Sequence, residues 1–354
     1  LTGNITNFET VTIEEGELDL SGAASLSVGE VIVNDGGAIN TGAFTLTDDV
    51  TINAGGDING GVINFGAGAQ TFAITNATAG VQTLAANITD AGGSDILNLT
   101  AGNALTDLAL TGNISGFETI NAAGTGTVTL DGTLAGIDDI TASGGSTLDL
   151  SGVTGGAITV TNDMIIDGSV LEAGATTLNT DLTMRGASTF TGTLDLDLNG
   201  QLTFDGNTGG GVTHTANIDL GDVNALVANQ TGTVELDGAL TGVSGLTVGS
   251  NATLDLDGSM NHIAASDIDG TLDIIDMATT SGVFTINATG TLTSDADTLI
   301  SGTVIAHAGS TVNTATFGAG DDFFNITGTA GADNVTHNVN LGGGNVNTVG
   351  GNVN

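Results

Sequence analysis

The chain of 354 residues has no Cys, no Pro, no Trp and no Tyr, and a single Lys or Arg stands against 40 Asp and Glu. Each shortage excludes something. Without Cys there is neither a disulfide nor a thiolate metal site. Without Pro, every residue keeps the amide hydrogen that a strand paired on both edges requires. A formal net charge of −39 repels nucleic acid and anionic membrane surfaces, which leaves cations as the expected partners. No apolar run approaches the ~20 residues of a membrane-spanning helix, so no direct membrane insertion is expected, and no cationic, apolar signal segment opens the sequence. Strand-like pattern begins at Leu1, as expected of a mature segment or a piece of something longer.

What is abundant is small, acidic and periodic. Gly occurs 58 times, suited to tight corners that need positive φ. Eight of the acids are Glu and the rest are Asp, the short carboxylate that favours turns and hard, oxygen-liganded metals. Period-two alternation recurs in short runs such as Val31-Ile32-Val33, Ile96-Leu97-Asn98-Leu99 and Phe284-Thr285-Ile286, each ended by Gly, Asn or Asp-Gly. Such runs predict short strands. No convincing amphipathic helix is present; the best stretch, Ser169 to Ala173, is too brief.

A Thr-aliphatic-acid-aliphatic motif sets the longer period. It stands at Thr127-Val128-Thr129-Leu130, Thr147-Leu148-Asp149-Leu150, Thr193-Leu194-Asp195-Leu196, Thr233-Val234-Glu235-Leu236 and Thr253-Leu254-Asp255-Leu256, and continues less strictly at Thr271, Thr291 and Thr311. Most steps are twenty residues or a multiple of twenty, which is the mark of a solenoid. The predicted fold is all-β, a right-handed parallel β-helix of about 18 coils with ~20 residues each, stacked ~4.8 Å apart into a rod of about 85 Å. Leu236 should lie over Leu256, with Ile274 beyond, while Thr253 and Asp255 face out. Phe8, Phe117 and Phe284 are expected to fill wide parts of the core. Residues 1–316 read as the β-helix, and 317–354 as Gly/Asn/Asp-rich, β-roll-like terminal coils continuing it. Leu1 to Val11 returns as Leu110 to Ile120, a duplicated block.

The outward acids of this motif form the first candidate site. Glu235, Asp255 and Asp273 should project from consecutive coils in one column, with Asp237 and Asp257 beside them at the Gly corner. Like charges ~4.8 Å apart in water repel by roughly 1 kcal/mol, and a column accumulates the repulsion until a divalent cation or salt relieves it. Open strand edges at the terminal coils would recruit further copies once cations neutralise the charge, so the expected partners are the chain itself and divalent cations.

The second candidate site lies near the C-terminus. Gly318-Ala319-Gly320-Asp321-Asp322 and Gly328-Thr329-Ala330-Gly331-Ala332-Asp333 resemble the Gly-Gly-x-Gly-x-Asp nonapeptide of the repeats-in-toxin calcium-binding proteins. The resemblance implies Ca2+ held by the Asp322 and Asp333 carboxylates with Gly318, Gly320, Gly328 and Gly331 in the turns. The match is partial: the two Asp stand eleven apart rather than nine, and Asn replaces Asp in the Gly-rich sequence that follows. More broadly, Phe117-Glu118-Thr119-Ile120, Leu148-Asp149-Leu150-Ser151-Gly152 and Ala91-Gly92-Gly93-Ser94-Asp95-Ile96-Leu97-Asn98-Leu99 resemble the β-solenoid portions of bacterial S-layer proteins and large secreted adhesins. That resemblance implies an extracellular or cell-surface structural role, often calcium-dependent, with cell-surface glycans as a further partner.

An enzyme is not expected, and no catalytic residue is assigned. The alternative of a β-helical polysaccharide lyase or hydrolase would need carboxylates beside basic residues and sugar-stacking aromatics, whereas Arg185 is the only basic side chain apart from His214, His262, His307 and His337. Those four share no spacing and read as surface or turn residues. A glycan- or ice-binding module remains as a third reading, but the acids at 149, 195, 235, 255 and 273 interrupt the flat Thr array that ordered water would need. Asn-x-Thr triplets such as Asn87-Ile88-Thr89 permit glycosylation without predicting it.

Overall fold

The computed structural model describes residues 3–40, 43–46, 49–59, 61–66, 68–154, 158, 160–178, 181–196, 200–214, 217–257, 260–274, 280–294, 300–307, 309–313, 323–327 and 345–349. Among them there is no helix, and the strands pair in parallel as a β-solenoid. Ser169 to Ala173 is no exception, because Val170–Leu178 is a strand. The chain packs as two compact units, Leu1–Thr180 and Asp181–Asn354. The boundary expected near residue 316 falls within 314–322, outside the described residues.

Between Val11 and Ala135 of the N-terminal unit each coil has three short strands. One coil runs through Ile96–Ala101, Thr106–Leu110 and Ile114–Ser115, and the next through Thr119–Gly124, Thr127–Leu130 and Leu134–Ala135. Leu97 lies beside Ile120, Leu108 beside Val128 and Ile114 beside Leu134. On the first face a column passes through Val31, Val50, Phe72, Leu97, Ile120, Ile140 and Met164. All seven are buried. Alternation decides this, since one parity of each strand meets the other two faces and the other parity meets water. Coil length is less regular than the motif implied, ranging from 18 residues between Thr253 and Thr271 to 26 between Gln82 and Leu108. The chain therefore makes fewer coils than the expected eighteen.

The core is aliphatic with local aromatic fillings. Phe65, Phe72 and Phe117 cluster, with ring centroids 5.5 Å and 5.8 Å apart for the Phe65–Phe72 and Phe65–Phe117 pairs. Phe284 is buried as expected. Phe8 is not: 58% of it is exposed, although it is the counterpart of Phe117 in the duplicated block. Phe117 packs on the Phe65 ring, whereas Phe8 has no such ring contact among the described residues. The same duplication has a backbone signature, because Asn7 is the one non-Gly residue with positive φ (69°) among the described residues, and its counterpart Gly116 has φ of 84°. Asn tolerates the left-handed region that Gly adopts freely.

Corners use short polar side chains to connect coil to coil. The Thr71 N–H donates to Asp49 Oδ1 (2.7 Å), that of Thr127 to Asp107 Oδ1 (3.3 Å), that of Asp163 to Asp139 Oδ1 (3.2 Å) and that of Gln201 to Asp181 Oδ1 (2.7 Å). Asn does the same: Asn113 donates its N–H to Asn87 Oδ1 (2.9 Å), and Asn113 Oδ1 accepts from Thr133 (3.0 Å). These amides stand where the chain enters a strand, and a side-chain oxygen one coil away satisfies them. Asp reaches where Glu would overshoot, a physical reason for the Asp excess. Gly132 occupies such a corner because a Cβ there would strike the Gly112 carbonyl.

Candidate cation-binding face

From Thr231 to His307 the C-terminal unit alternates a short strand with a longer one. The short strands Thr231–Leu236, Ala252–Leu256, Thr271–Ile274, Thr291–Ser294 and Thr311–Asn313 stack as one parallel face. Thr233, Thr253, Thr271, Thr291 and Thr311 form one column, and Val234, Leu254, Leu272, Leu292 and Val312 the next. Leu236, Leu256 and Ile274 are adjacent in that order, as the sequence predicts. The aliphatic members are buried and the Thr members half-buried.

Thr193-Leu194-Asp195-Leu196 does not join this face. Thr193, Leu194 and Asp195 pair with Asn217, Ile218 and Asp219, and Ile218 is followed by Leu240 and Met260. The position before Thr233 in the Thr column is Gly211. Coils here exceed twenty residues, for example 24 from Leu202 to Leu226, so two nominal periods carry the motif onto a different face.

Between the two aliphatic columns the acids stand in line: Glu235 beside Asp255, Asp255 beside Asp273, and then Thr293. One carboxylate oxygen from each of Glu235, Asp237 and Asp257 lies within 4.8 Å of the others. Thr213, beside Glu235 in the preceding coil, donates its hydroxyl to Glu235 Oε2 (2.5 Å). Asp255 Oδ1 is buried and accepts no hydrogen bond from the described residues. Burial first, then the charges of Asp273, Glu235, Asp257 and Asp237, push the Asp255 carboxyl up to about 6. Asp237 is raised as well, by desolvation, by Glu235 and by Asp257. Glu235, Asp255 and Asp273 stand in one column, and Asp237 and Asp257, just beyond their strand ends, bring an oxygen each close to Glu235; such oxygens suit a hard cation such as Ca2+, which takes six to eight oxygen ligands including water. Asp322, Asp333, Gly318, Gly320, Gly328 and Gly331 lie outside the described residues.

Two buried ionisable groups escape a reading of the sequence. His214 is a core residue, 1% exposed, rather than a surface or turn residue. Its ring stacks on Phe190 at 4.8 Å and leans on Phe204 at 5.0 Å, and neither ring nitrogen has a hydrogen-bond partner among the described residues. Burial lowers its pKa to about 4, so the imidazole is neutral near pH 7. The signal was present, because Val212-Thr213-His214 gives His214 the inward parity, in register with Leu236. Asp95 is entirely buried in the N-terminal unit. Gly92-Gly93-Ser94-Asp95 reads locally as an ordinary turn, and nothing in it marks an enclosed carboxylate.

Comparison with protein-family models, with curated proteins and with solved structures returns no match.

Proposed function

We propose that this chain is an extracellular structural protein, a β-solenoid segment of a bacterial surface layer, surface filament or adhesin stalk that takes up Ca2+ and associates with its own copies. The observation that carries the reading is the in-register acidic face, with Glu235, Asp237 and Asp257 converging and Asp255 raised by burial and by its neighbours. A repeated coil without such a column would be a spacer; with it, stability depends on cations. The resemblance of the 318–333 segment to calcium-binding nonapeptides supports the same ion. Glu235, Asp237 and Asp257 would hold it, Asp255 and Asp273 would add charge, and water would complete the shell. The bound ion would offset the repulsion along the column and lower the self-repulsion that opposes contact between copies.

In this reading the chain is not an enzyme, since among the described residues no His, Lys or Arg belongs to the acidic face. Thermal unfolding by circular dichroism at low ionic strength, with chelator and with millimolar Ca2+, tests the first half. The midpoint should rise with Ca2+, and D237N/D257N should reduce the rise. Light scattering and electron microscopy test the second, with ordered polymers expected only when Ca2+ is present. No shift together with a monodisperse monomer in both conditions would overturn the proposal.

A further inference from the structure

One face of the N-terminal unit is broken between two coils. Its ladder runs from Gly16–Asp19 through Gly37–Asn40 to Asp57–Ile58, and a separate ladder begins one coil later at Gly80–Leu84 and continues to Thr106–Leu110. No ladder joins the two among the described residues. The other two faces cross the same coils unbroken, with Ile52 beside Ile74 and Ile63 beside Ile88. Corner length is the cause. The chain takes four residues from Ile52 to Gly56 but eight from Ile74 to Gln82, the residue that meets Gly56 one coil later. The wider corner stands out from the narrower one, and a cavity of about 310 Å3 lies between them, with Asp35, Gly55 and Asp57 on one side and Asn76, Val81 and Gln82 on the other.

This notch is braced rather than slack. Asn76, 3% exposed, donates through Nδ2 to the Gly80 carbonyl (2.9 Å) and the Asp107 carbonyl (2.8 Å), and its Oδ1 accepts the Thr78 N–H (3.1 Å). The Gly80 N–H and the Leu84 carbonyl bond forward, to Leu105 and Thr111. Successive peptide groups of a strand point to opposite neighbours, so the main-chain groups of Val81 and Thr83 aim back at the gap. Across it, side chains stand in for ladder partners: the Ile58 N–H donates to Asp57 Oδ1 (2.7 Å), and the Gly56 carbonyl accepts from Gln82 Nε2 (2.6 Å).

What the notch offers is oxygen beside an apolar wall. Asp35 and Asp57 are exposed carboxylates, and Asp35 lays its Oδ1 where a Cβ on Gly55 would stand. Gln82 Oε1 is buried and accepts no hydrogen bond from the described residues. The wall is Val81, 62% exposed. Two negative charges among further acceptors, next to an apolar side chain, complement a group with several donors on an aliphatic stem, and the guanidinium of Arg is that group. We propose that the notch docks an Arg side chain presented by an extended segment of a partner protein. A second copy of this chain is not the partner, because its one basic residue, Arg185, stands in a ladder beside Asp205 and arrives with 40 acids that repel. The docking site is independent of the acidic face at 235–273, which belongs to the other unit.

The test is an amide chemical-shift titration of the labelled full chain in chelator and about 0.15 M salt, which screens distant charges. The probe is a capped pentapeptide with a central Arg between two Val, set against the same peptide with citrulline, which keeps the shape and loses the charge. The Arg peptide should give saturable shifts confined to residues 55–58 and 76–84, and the citrulline peptide should bind about tenfold more weakly. D35N/D57N should weaken the Arg peptide about as much, and Asn at 57 keeps the Oδ1 that receives the Ile58 amide. D237N/D257N should leave binding as it is. Shifts scattered over the acidic surface, or equal binding of the two peptides, would overturn the proposal, and that comparison needs only the wild type should D35N/D57N fail to fold. Saturable shifts of the same amides with millimolar Ca2+ alone would overturn it too, since the oxygens would then serve a metal.

Discussion

The two units bury the same kinds of residue on the same alternating pattern, and Asp accepts a coil-to-coil amide hydrogen in both, yet the C-terminal unit also stacks three acids in register along one strand face. The N-terminal unit distributes its acids over corners, where Asp49, Asp107 and Asp139 accept amide hydrogens from the next coil. The C-terminal unit lines Glu235, Asp255 and Asp273 along one face, where they repel. A carboxylate at a corner is useful to the backbone, while a carboxylate in mid-strand has its backbone groups already paired and can only meet its neighbours. Position within the coil, rather than acidity, decides whether an Asp stabilises the solenoid or makes it depend on ions.

The largest expected effect tests whether the units are separable at all. Phe72→Ala and Leu254→Ala each open a cavity in a fully buried column, at a cost of about 3 to 5 kcal/mol for the first and about 2 to 5 for the second. Hydrogen exchange should show each loss confined to its own unit. Loss of protection in both units from either change would mean one cooperative body and would dissolve the comparison.

His214 comes next. Its folded pKa of about 4 lies below the ordinary 6.5, so stability is complete above pH 6.5 and falls as the pH drops towards 4. The fall is at most about 3 kcal/mol, since each tenfold loss of proton affinity on folding is worth ~1.4 kcal/mol. The C-terminal unit should lose exchange protection near residue 214 on acidification, while Asp255 partly offsets this by becoming easier to protonate. His214→Leu should remove the acid loss and leave the Asp255 gain visible. An unchanged acid profile in that variant would show that the imidazole is not enclosed as described. Asp95, which burial raises to about 6 from an ordinary 3.8, gives the N-terminal unit the opposite trend, so pH helps to tell the units apart.

Calcium should separate them in the other direction. At a hundredfold excess over its dissociation constant a native-state ligand adds about 2.7 kcal/mol, and the gain should appear in exchange protection of residues 231–274 rather than 87–124. Smallest of all, Thr213→Val removes the hydroxyl donated to Glu235 and should cost about 1 kcal/mol or less in chelator. A larger loss would mean that Thr213 holds Glu235 in place for the whole column.

Much of this was legible in the residues themselves. Alternation assigns each side chain to the inside or the outside from its immediate neighbours, and the twenty-residue recurrence stacks like on like, so the Leu236–Leu256–Ile274 column and the acidic face beside it follow from sequence. The same rule pointed inward for His214, though an isolated His is easily taken for a surface residue. Other features depend on the lengths of whole coils and on what a corner touches one coil away. The departure of Thr193 from the Thr column, the exposure of Phe8 against the burial of its duplicate Phe117, and the enclosure of Asp95 between Gln70 of the preceding coil and Glu118 of the following one are of that kind. Local sequence determines the parity of a strand, but only the summed lengths of intervening corners determine which strand lies above it, and burial at a corner belongs to three coils at once.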